Sequence, residues 1–197
     1  MSAPPINLAV LVSGSGTTLQ NFIDTIAAGE LDARIALVIA SKPGILAIDR
    51  AKKAGLPIVV SEPANVFDHC TAAKVDLVCL AGWLQLLKIP RQYVNRVLNI
   101  HPALLPDFGG RGMYGMRVHE AVLKSGQKIT GCTVHFVDDE YDHGPILLQR
   151  VCPVLEGDTP ATLAHRVFEE ERIAYPEAIR RFQSQINSAE GLRVQAT

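Results

Sequence analysis

Apolar positions in the first hundred residues fall into short continuous runs separated by stretches of helical spacing. Residues 6–12 and 34–40 are mostly apolar, as expected of strands covered on both faces. After the first run, Leu19, Phe22, Ile23 and Ile26 recur at helical spacing, and Gly29 ends that helix. After the second, Ser41-Lys42-Pro43-Gly44 turns the chain into a helix carrying Ile48, Ala51 and Ala54, with Gly55 at its end. Residues 57–60 predict a third strand, 65–74 a short helix and 75–80 a fourth strand. Residues 89–96 predict another short helix, led by Pro90, and 97–101 a fifth strand. Further on, 118–125 predicts a helix, and 130–137 and 146–151 two strands that pair back on each other. The longest helix is expected over 160–182, opened by Asp158-Thr159-Pro160, with Pro176 as a kink or break. The polar remainder, 183–197, predicts a loosely held tail. Strands alternating with helices predict an α/β fold with a doubly wound, mostly parallel sheet, an antiparallel C-terminal hairpin and a long final helix.

Ligands in such sheets bind beyond the C-terminal ends of the strands, and the chemistry-bearing residues lie there. Ser13-Gly14-Ser15-Gly16-Thr17-Thr18 follows the first strand and opens a helix. That geometry offers backbone N–H groups and a helix N-terminus to an anion. The stretch has no P-loop lysine, and its glycines do not fit G-x-G-x-x-G; a tight turn needing glycine for its backbone angles reads the same way. At the end of the fifth strand, Pro102 stops ladder pairing, and Asn99 and His101 stand two residues apart on one face. A buried polar pair must be hydrogen-bonded or functional. An amide beside an imidazole suits acyl transfer, one group for a developing oxyanion and one for proton movement. A satisfied core histidine after an Asn turn fits the spacing equally. Residues 107–115 hold four glycines in nine positions, a loop that could close on substrate or merely connect. In the acidic turn 138–145, Asp142 is the carboxylate that a His101 site would want, because it favours the protonated ring. A solvated acidic turn is the other reading.

Composition narrows the partners. The chain has 197 residues, 48% hydrophobic and 20% charged, enough for one real core. Its net charge of −1, from 19 basic and 20 acidic residues, carries no nucleic-acid footprint. No apolar run reaches a membrane span, and the start, Met1-Ser2-Ala3-Pro4-Pro5, does not read as a secretory signal. Cys70, Cys79, Cys132 and Cys152 form no C-x-x-C pair and no zinc-finger spacing. Buried reduced thiols in a cytoplasmic protein are expected.

The stretch Asn99-Ile100-His101-Pro102-Ala103-Leu104-Leu105-Pro106 resembles the signature of the folate-dependent formyltransferases, most closely those acting on phosphoribosylglycinamide (GAR) in purine synthesis. The resemblance runs from Leu8 to about Ile179. It implies a Rossmann-like formyltransferase fold in a single domain, 1–197, with a mononucleotide-binding half at 6–100, a folate and catalytic half at 101–182 and a tail at 183–197. It implies direct transfer of the formyl group of 10-formyltetrahydrofolate to the primary amine of GAR, with no metal. Carried over residue by residue, it makes Asn99, His101 and Asp142 the catalytic set. Asn99 and protonated His101 would stabilise the tetrahedral oxyanion, and His101 would give a proton to the leaving folate nitrogen. Asp142, just before His143-Gly144-Pro145, would hold His101 and raise its pKa. Gly16, Thr17 and Thr18 would take the ribosyl phosphate, with Thr17-Thr18 where Ser-Asn is common. Glu171 falls where the family has a substrate-contacting Glu on its last helix. Trp83, Leu84, Gln85, Leu86 and Leu87, together with Asn99, would form the folate pocket, the pterin bonding to backbone around residues 84–87. Trp83 stands in place of a common Phe and Gln85 of a common Arg.

Among the remaining histidines, His135 is expected close by in a structural role, His119 and His143 as ordinary helix or loop residues, and His69 and His165 without a role. One stretch departs from the family: residues 61–70 are shorter than usual and hold no Arg to meet the folate tail. Weaker binding of polyglutamyl folate follows. A hydrolase of 10-formyltetrahydrofolate, a methionyl-tRNA formyltransferase and a sugar formyltransferase share the Asn-x-His…Asp chemistry. The hydrolase carries an extra N-terminal regulatory domain, for which a first strand at Ile6 leaves no room. The tRNA enzyme carries a further C-terminal domain and wants a basic face. A phosphate-binding module without catalysis is the remaining alternative. The expected partners are two small molecules, with no nucleic acid and no membrane, and a monomer and a homodimer fit equally.

Overall fold

The central strands are apolar on both faces because a core lies on each side of them. A computed structural model describes residues 4–194, with side chains as far as Ile186. In chain order the elements are β1 (Ile6–Val12), α1 (Thr17–Ala27), β2 (Ala33–Ala40), α2 (Leu46–Lys53), β3 (Ile58–Val60), α3 (Val66–Ala72), β4 (Leu77–Leu80), β5 (Val97–His101), α4 (Met116–Ser125), β6 (Ile129–Phe136), β7 (Ile146–Pro153) and α5 (Pro160–Val194). Single 3₁₀ turns lie at Pro63–Asn65 and Arg91–Tyr93. Along β1, Leu8, Val10 and Val12 pack in one core with Phe22 of α1 and Leu163 and Tyr175 of α5. Ala9 and Leu11 turn to the other face, with Val66 and Phe67 of α3 and with Trp83 and Tyr93. The twofold alternation of a strand makes this partition.

The seven strands form one sheet in the order β3-β2-β1-β4-β5-β6-β7. Pairing is parallel from β3 to β5 and antiparallel for β5–β6 and β6–β7. This is the expected doubly wound fold with its hairpin and long last helix. Strand order reverses between β1 and β4, which puts the switch point beside the ends of those strands.

Three expectations at the element level are corrected. Residues 89–96 form no helix: Pro90 is extended and Asn95 sits at φ 59°, leaving only the 3₁₀ turn between them. The helix at 65–74 shortens to α3, preceded by the turn Pro63–Asn65. Nor is 183–194 a loose tail, since α5 runs through Pro176 to Val194. Phe182 is buried and Ile186 packs on the core, while Arg180 and Gln183 donate to the carbonyls of Glu30 and Asp32. The rest of the tail, 195–197, lies outside the described residues. All four cysteines are buried and free.

Candidate active site

β5 delivers the polar pair, and β6 fixes what surrounds it. The antiparallel register sets His135 opposite Asn99 and Thr133 opposite His101. Thr133 is fully buried; its hydroxyl donates to the Ala103 carbonyl at 2.7 Å and accepts the Leu105 N–H at 3.0 Å. Gln149 of β7 donates to Thr133 Oγ1 and to the Leu105 carbonyl, both at 2.9 Å. A satisfied polar knot in a dry site rigidifies what it holds, here the segment just after His101. The glycine-rich stretch then folds back over the imidazole. His101 Nε2 donates to the Phe108 carbonyl at 2.8 Å, and Gly110 N–H donates to Asp142 Oδ2 at 3.0 Å. Gly109 has no room for a side chain, because a Cβ there would lie 2.5 Å from Leu105 Cδ2 and 3.2 Å from Asp142 Cβ. Asp142 sits at φ 54°, a left-handed conformation that Asp tolerates better than most residues.

Asp142 joins the set together. Its Oδ1 accepts from Asn99 Nδ2 at 3.2 Å, and its Oδ2 lies 3.4 Å from His101 Nδ1. A carboxylate only accepts, so the nitrogen of the Asn99 amide has to face it. The same nitrogen donates to His135 Nε2 at 3.1 Å, and His135 Nδ1 donates to the Phe136 carbonyl at 2.9 Å. His135 Nε2 also lies 3.7 Å from Asp142 Oδ1, so the ring is tied to both Asn99 and the carboxylate. Both Asn99 amide hydrogens are engaged.

Burial acts most strongly on His101, which is 3% exposed, and brings its pKa below 6.5. Asp142 and the Phe108 carbonyl pull upward without prevailing. The expectation of a raised imidazole pKa is therefore corrected: the carboxylate acts in the expected direction, but desolvation of the cation costs more. Burial also opposes the charge on Asp142, yet His135, His101 and the Gly110 N–H hold its carboxyl below the usual range. Burial thus favours the uncharged His101 ring, while the groups around Asp142 favour its carboxylate. His119 is not an ordinary helix residue either. It is buried on α4, its Nδ1 has no partner among the described residues, and burial, then His101, lowers its pKa. His143 is exposed and bonded to Asp138 at 2.8 Å, which raises its pKa.

Asn99, His101 and Asp142 line a cavity of about 380 Å³ that also takes in Trp83, Leu84, Gln85, Leu86 and Leu87. That segment divides by exposure. Trp83 and Leu87, 6% and 2% exposed, belong to the α3-side core, whereas Leu84 and Leu86 are 50% and 45% exposed. Backbone and outward-facing leucines are a wall suited to a flat, largely apolar ligand. His135, read from sequence as structural, lines the same cavity. Its alternation with Thr133 on an apolar strand is visible in the sequence; its pairing with Asn99 is not.

Gly16, Thr17, Thr18 and Glu171 stand outside the cavity wall. Gly16 leads into α1 at φ 72° and ψ 30°, with no side-chain cap. The first intrahelical bond is from Gln20 N–H to the Gly16 carbonyl, which leaves the Thr17 and Thr18 amides without an acceptor among the described residues. Leu84 N–H donates to Ser13 Oγ at 3.4 Å, joining the start of this turn to the cavity segment. On the other side, Asn21 of α1 donates to the Arg172 carbonyl at 2.9 Å, next to Glu171 on α5. Tyr175, one helical turn further, shares its hydroxyl hydrogen between the carbonyls of Leu80 at 3.1 Å and Leu98 at 2.9 Å. The Glu171 residue is half-buried but its carboxyl is enclosed, and burial pushes that carboxyl up to about 8.

An imidazole backed by a carboxylate, with an amide donor, at the floor of an apolar cavity beside a strand-end turn, is the equipment of a group-transfer enzyme acting at an acyl carbon. Residues 6–179 match the family described as formyl transferase, and the chain belongs to that family. It is 38% identical over 185 residues to the chloroplastic phosphoribosylglycinamide formyltransferase of Arabidopsis thaliana, covering 87% of this chain and 63% of that protein. With the trifunctional purine biosynthetic protein adenosine-3 of Drosophila pseudoobscura pseudoobscura it shares 39% identity over 193 residues, 91% of this chain and 14% of that protein. The crystal structure of glycinamide ribonucleotide transformylase 1 from Symbiobacterium toebii is similar at a TM-score of 0.85 and 41% identity, covering 92% of this chain and 89% of that one. The chain thus spans less than two thirds of the length of both curated relatives.

Proposed function

We propose that this chain transfers the formyl group of 10-formyltetrahydrofolate to the amine of GAR, a step of de novo purine (IMP) biosynthesis. The observation that carries the reading is the Asn99–Asp142–His101 cluster at the cavity floor, with contacts of 3.2 and 3.4 Å to one carboxylate. In this reading the pterin lies along residues 83–87 and bonds to their backbone, and the formyl-bearing nitrogen faces Asn99 and His101. The phosphate of GAR sits on the amides of Gly16, Thr17 and Thr18, and Glu171 meets the body of the substrate from α5. Free, buried thiols suit a reducing cytoplasm.

The amine attacks the formyl carbon, and the carbonyl electrons move to oxygen. Asn99 gives up one of its two acceptors and donates to that oxyanion. Neutral His101 takes the proton that the amine loses. The resulting imidazolium lies between Asp142 and the Phe108 carbonyl, the two groups that favour its charge. The proton then reaches the folate nitrogen as its bond to the formyl carbon breaks, leaving tetrahydrofolate and formylated GAR. His135 keeps the Asn99 amide oriented. The step balances without a metal.

The test offers 10-formyltetrahydrofolate to the chain with GAR, with initiator tRNA, and with neither. Formylation of GAR alone supports the reading. Formate released without an acceptor would make the chain a hydrolase, tRNA formylation would make it the tRNA enzyme, and no turnover would reduce it to a binding module.

A further inference from the structure

Two successive carbonyls of the glycine-rich turn are held by α2. Ala47 N–H donates to the Gly14 carbonyl at 3.2 Å, and Arg50 Nε donates to the Ser15 carbonyl at 2.9 Å. A trans peptide carries its C=O and N–H on opposite sides. Pulling these two carbonyls toward α2 therefore turns the amides that follow them, those of Ser15 and Gly16, the other way. Neither amide meets an acceptor among the described residues. The amides of Thr17 and Thr18 come next in the chain, so four consecutive donors lack a partner among the described residues.

Arg50 also reaches past the turn. Its Nη1 donates to Gln20 Oε1 at 3.2 Å, and Gln20 Nε2 donates to Asp24 Oδ1 at 2.8 Å. One guanidinium thus spans the turn and the first turns of α1. It can lie this close because residue 16 has no side chain: a Cβ there would sit 2.7 Å from Ala47 Cβ and 3.4 Å from Arg50 Cδ. Among the described residues Arg50 forms no ion pair; the carboxylate of Asp24 is reached only through Gln20.

We infer that Arg50 is a positioning residue for the substrate's phosphate monoester, acting through the Ser15–Gly16 peptide whose amide it aims. The inference rests on the reading that the GAR phosphate occupies Gly16 to Thr18. Consecutive amides turned to one side make an anion-binding concavity. A helix N-terminus contributes about half a positive charge, whereas a phosphate monoester carries about 1.5 to 2 negative charges at neutral pH. The guanidinium behind the turn, in no direct ion pair, adds the positive field that the amides alone do not supply.

R50M keeps the length and apolar stem of the side chain and removes every donor; R50K keeps the charge and a single reach. GAR is titrated at saturating formyl folate, with inorganic phosphate as competitor and thermal melting as a check on folding. R50M is expected to raise the GAR KM about tenfold, with kcat and the folate KM within about twofold of wild type. The inhibition constant of phosphate against GAR rises in parallel, and R50K falls between the two. If phosphate competes with GAR in the wild type but the R50M values do not move, the role of Arg50 is overturned and the phosphate reading stands. Absence of that competition in the wild type overturns both. Parallel rises in the GAR and folate KM with a lowered melting temperature also overturn the inference, since they describe a brace for the fold.

Discussion

Asp142→Asn removes the charge that makes a cation at His101 tolerable on the cavity floor. At the 3.4 Å separation, Coulomb's law with an effective dielectric of about 20 gives about 5 kcal/mol. The amide dipole retains part of this attraction. A loss of about 3 kcal/mol in stabilisation of the imidazolium corresponds to about 150-fold in rate. Hydrogen bonding acts in the same direction. Both carboxylate oxygens are in use, Oδ1 by Asn99 and Oδ2 by Gly110 N–H. An amide has one acceptor oxygen, so one of these donors loses its partner. An NH₂ in the place of Oδ2 would also donate to the His101 Nδ1 lone pair and hold the ring neutral. The His101 pKa, already below its ordinary value, falls further in the variant. The acid limb of the kcat profile moves to lower pH, and the plateau drops about a hundredfold. The assay is kcat at saturating substrates from about pH 5 to pH 9, alongside an NMR titration of the His101 ring. A variant whose kcat stays within about threefold of wild type, or whose ring titrates at a higher pH, would refute this reasoning.

His101→Ala and Asn99→Ala should each lower kcat by about a hundredfold or more while melting as cooperatively as the wild type; near-normal turnover in steady state removes that residue from the mechanism. Glu171 has its folded-state pKa raised from 4.5 to about 8. Its contribution to stability is therefore fully present below the unfolded value and is lost as pH rises through about 8. Glu171→Gln should melt higher than wild type at about pH 9, match it near pH 5 and raise the GAR KM; a melting difference independent of pH would contradict an enclosed carboxyl. Residues 61–70 hold no Arg, and a missing charge-assisted contact of about 1–3 kcal/mol should raise the folate KM with little change in kcat. Grafting an Arg-bearing loop between Pro63 and Phe67 should lower the KM for polyglutamyl folate. A folded graft with an unchanged KM would place the tail elsewhere, with Arg111, on the cavity wall, examined next.

The strands that build the site were legible because burial on two faces leaves a pattern in the sequence itself. β1 and β5 lie where their apolar runs predict, and Pro102 marks the end of β5. Asn99 and His101 were readable as a pair from strand alternation alone. Asp142 lies 43 positions from Asn99, and only a resemblance singles it out from the acids around it. His135 escaped because its place in the site depends on antiparallel register, which one sequence does not record. The direction of the His101 pKa is hidden from the sequence for a related reason. A neighbouring carboxylate can be named from sequence, but the depth of burial that outweighs it is a property of the assembled fold. The far end of α5 reads as a tail because its residues are mostly polar, yet Gln183, at its start, caps the Asp32 carbonyl and Ile186 packs on the core.

The most direct test of the central claim follows the formyl carbon itself. 10-Formyltetrahydrofolate labelled in the formyl group is mixed with GAR and the chain, and the label is traced as tetrahydrofolate appears. One label should arrive on the GAR amine for each tetrahydrofolate released, and His101→Ala should slow that arrival by about a hundredfold or more. Label recovered as formate, or reaching GAR equally fast with His101→Ala, would contradict it.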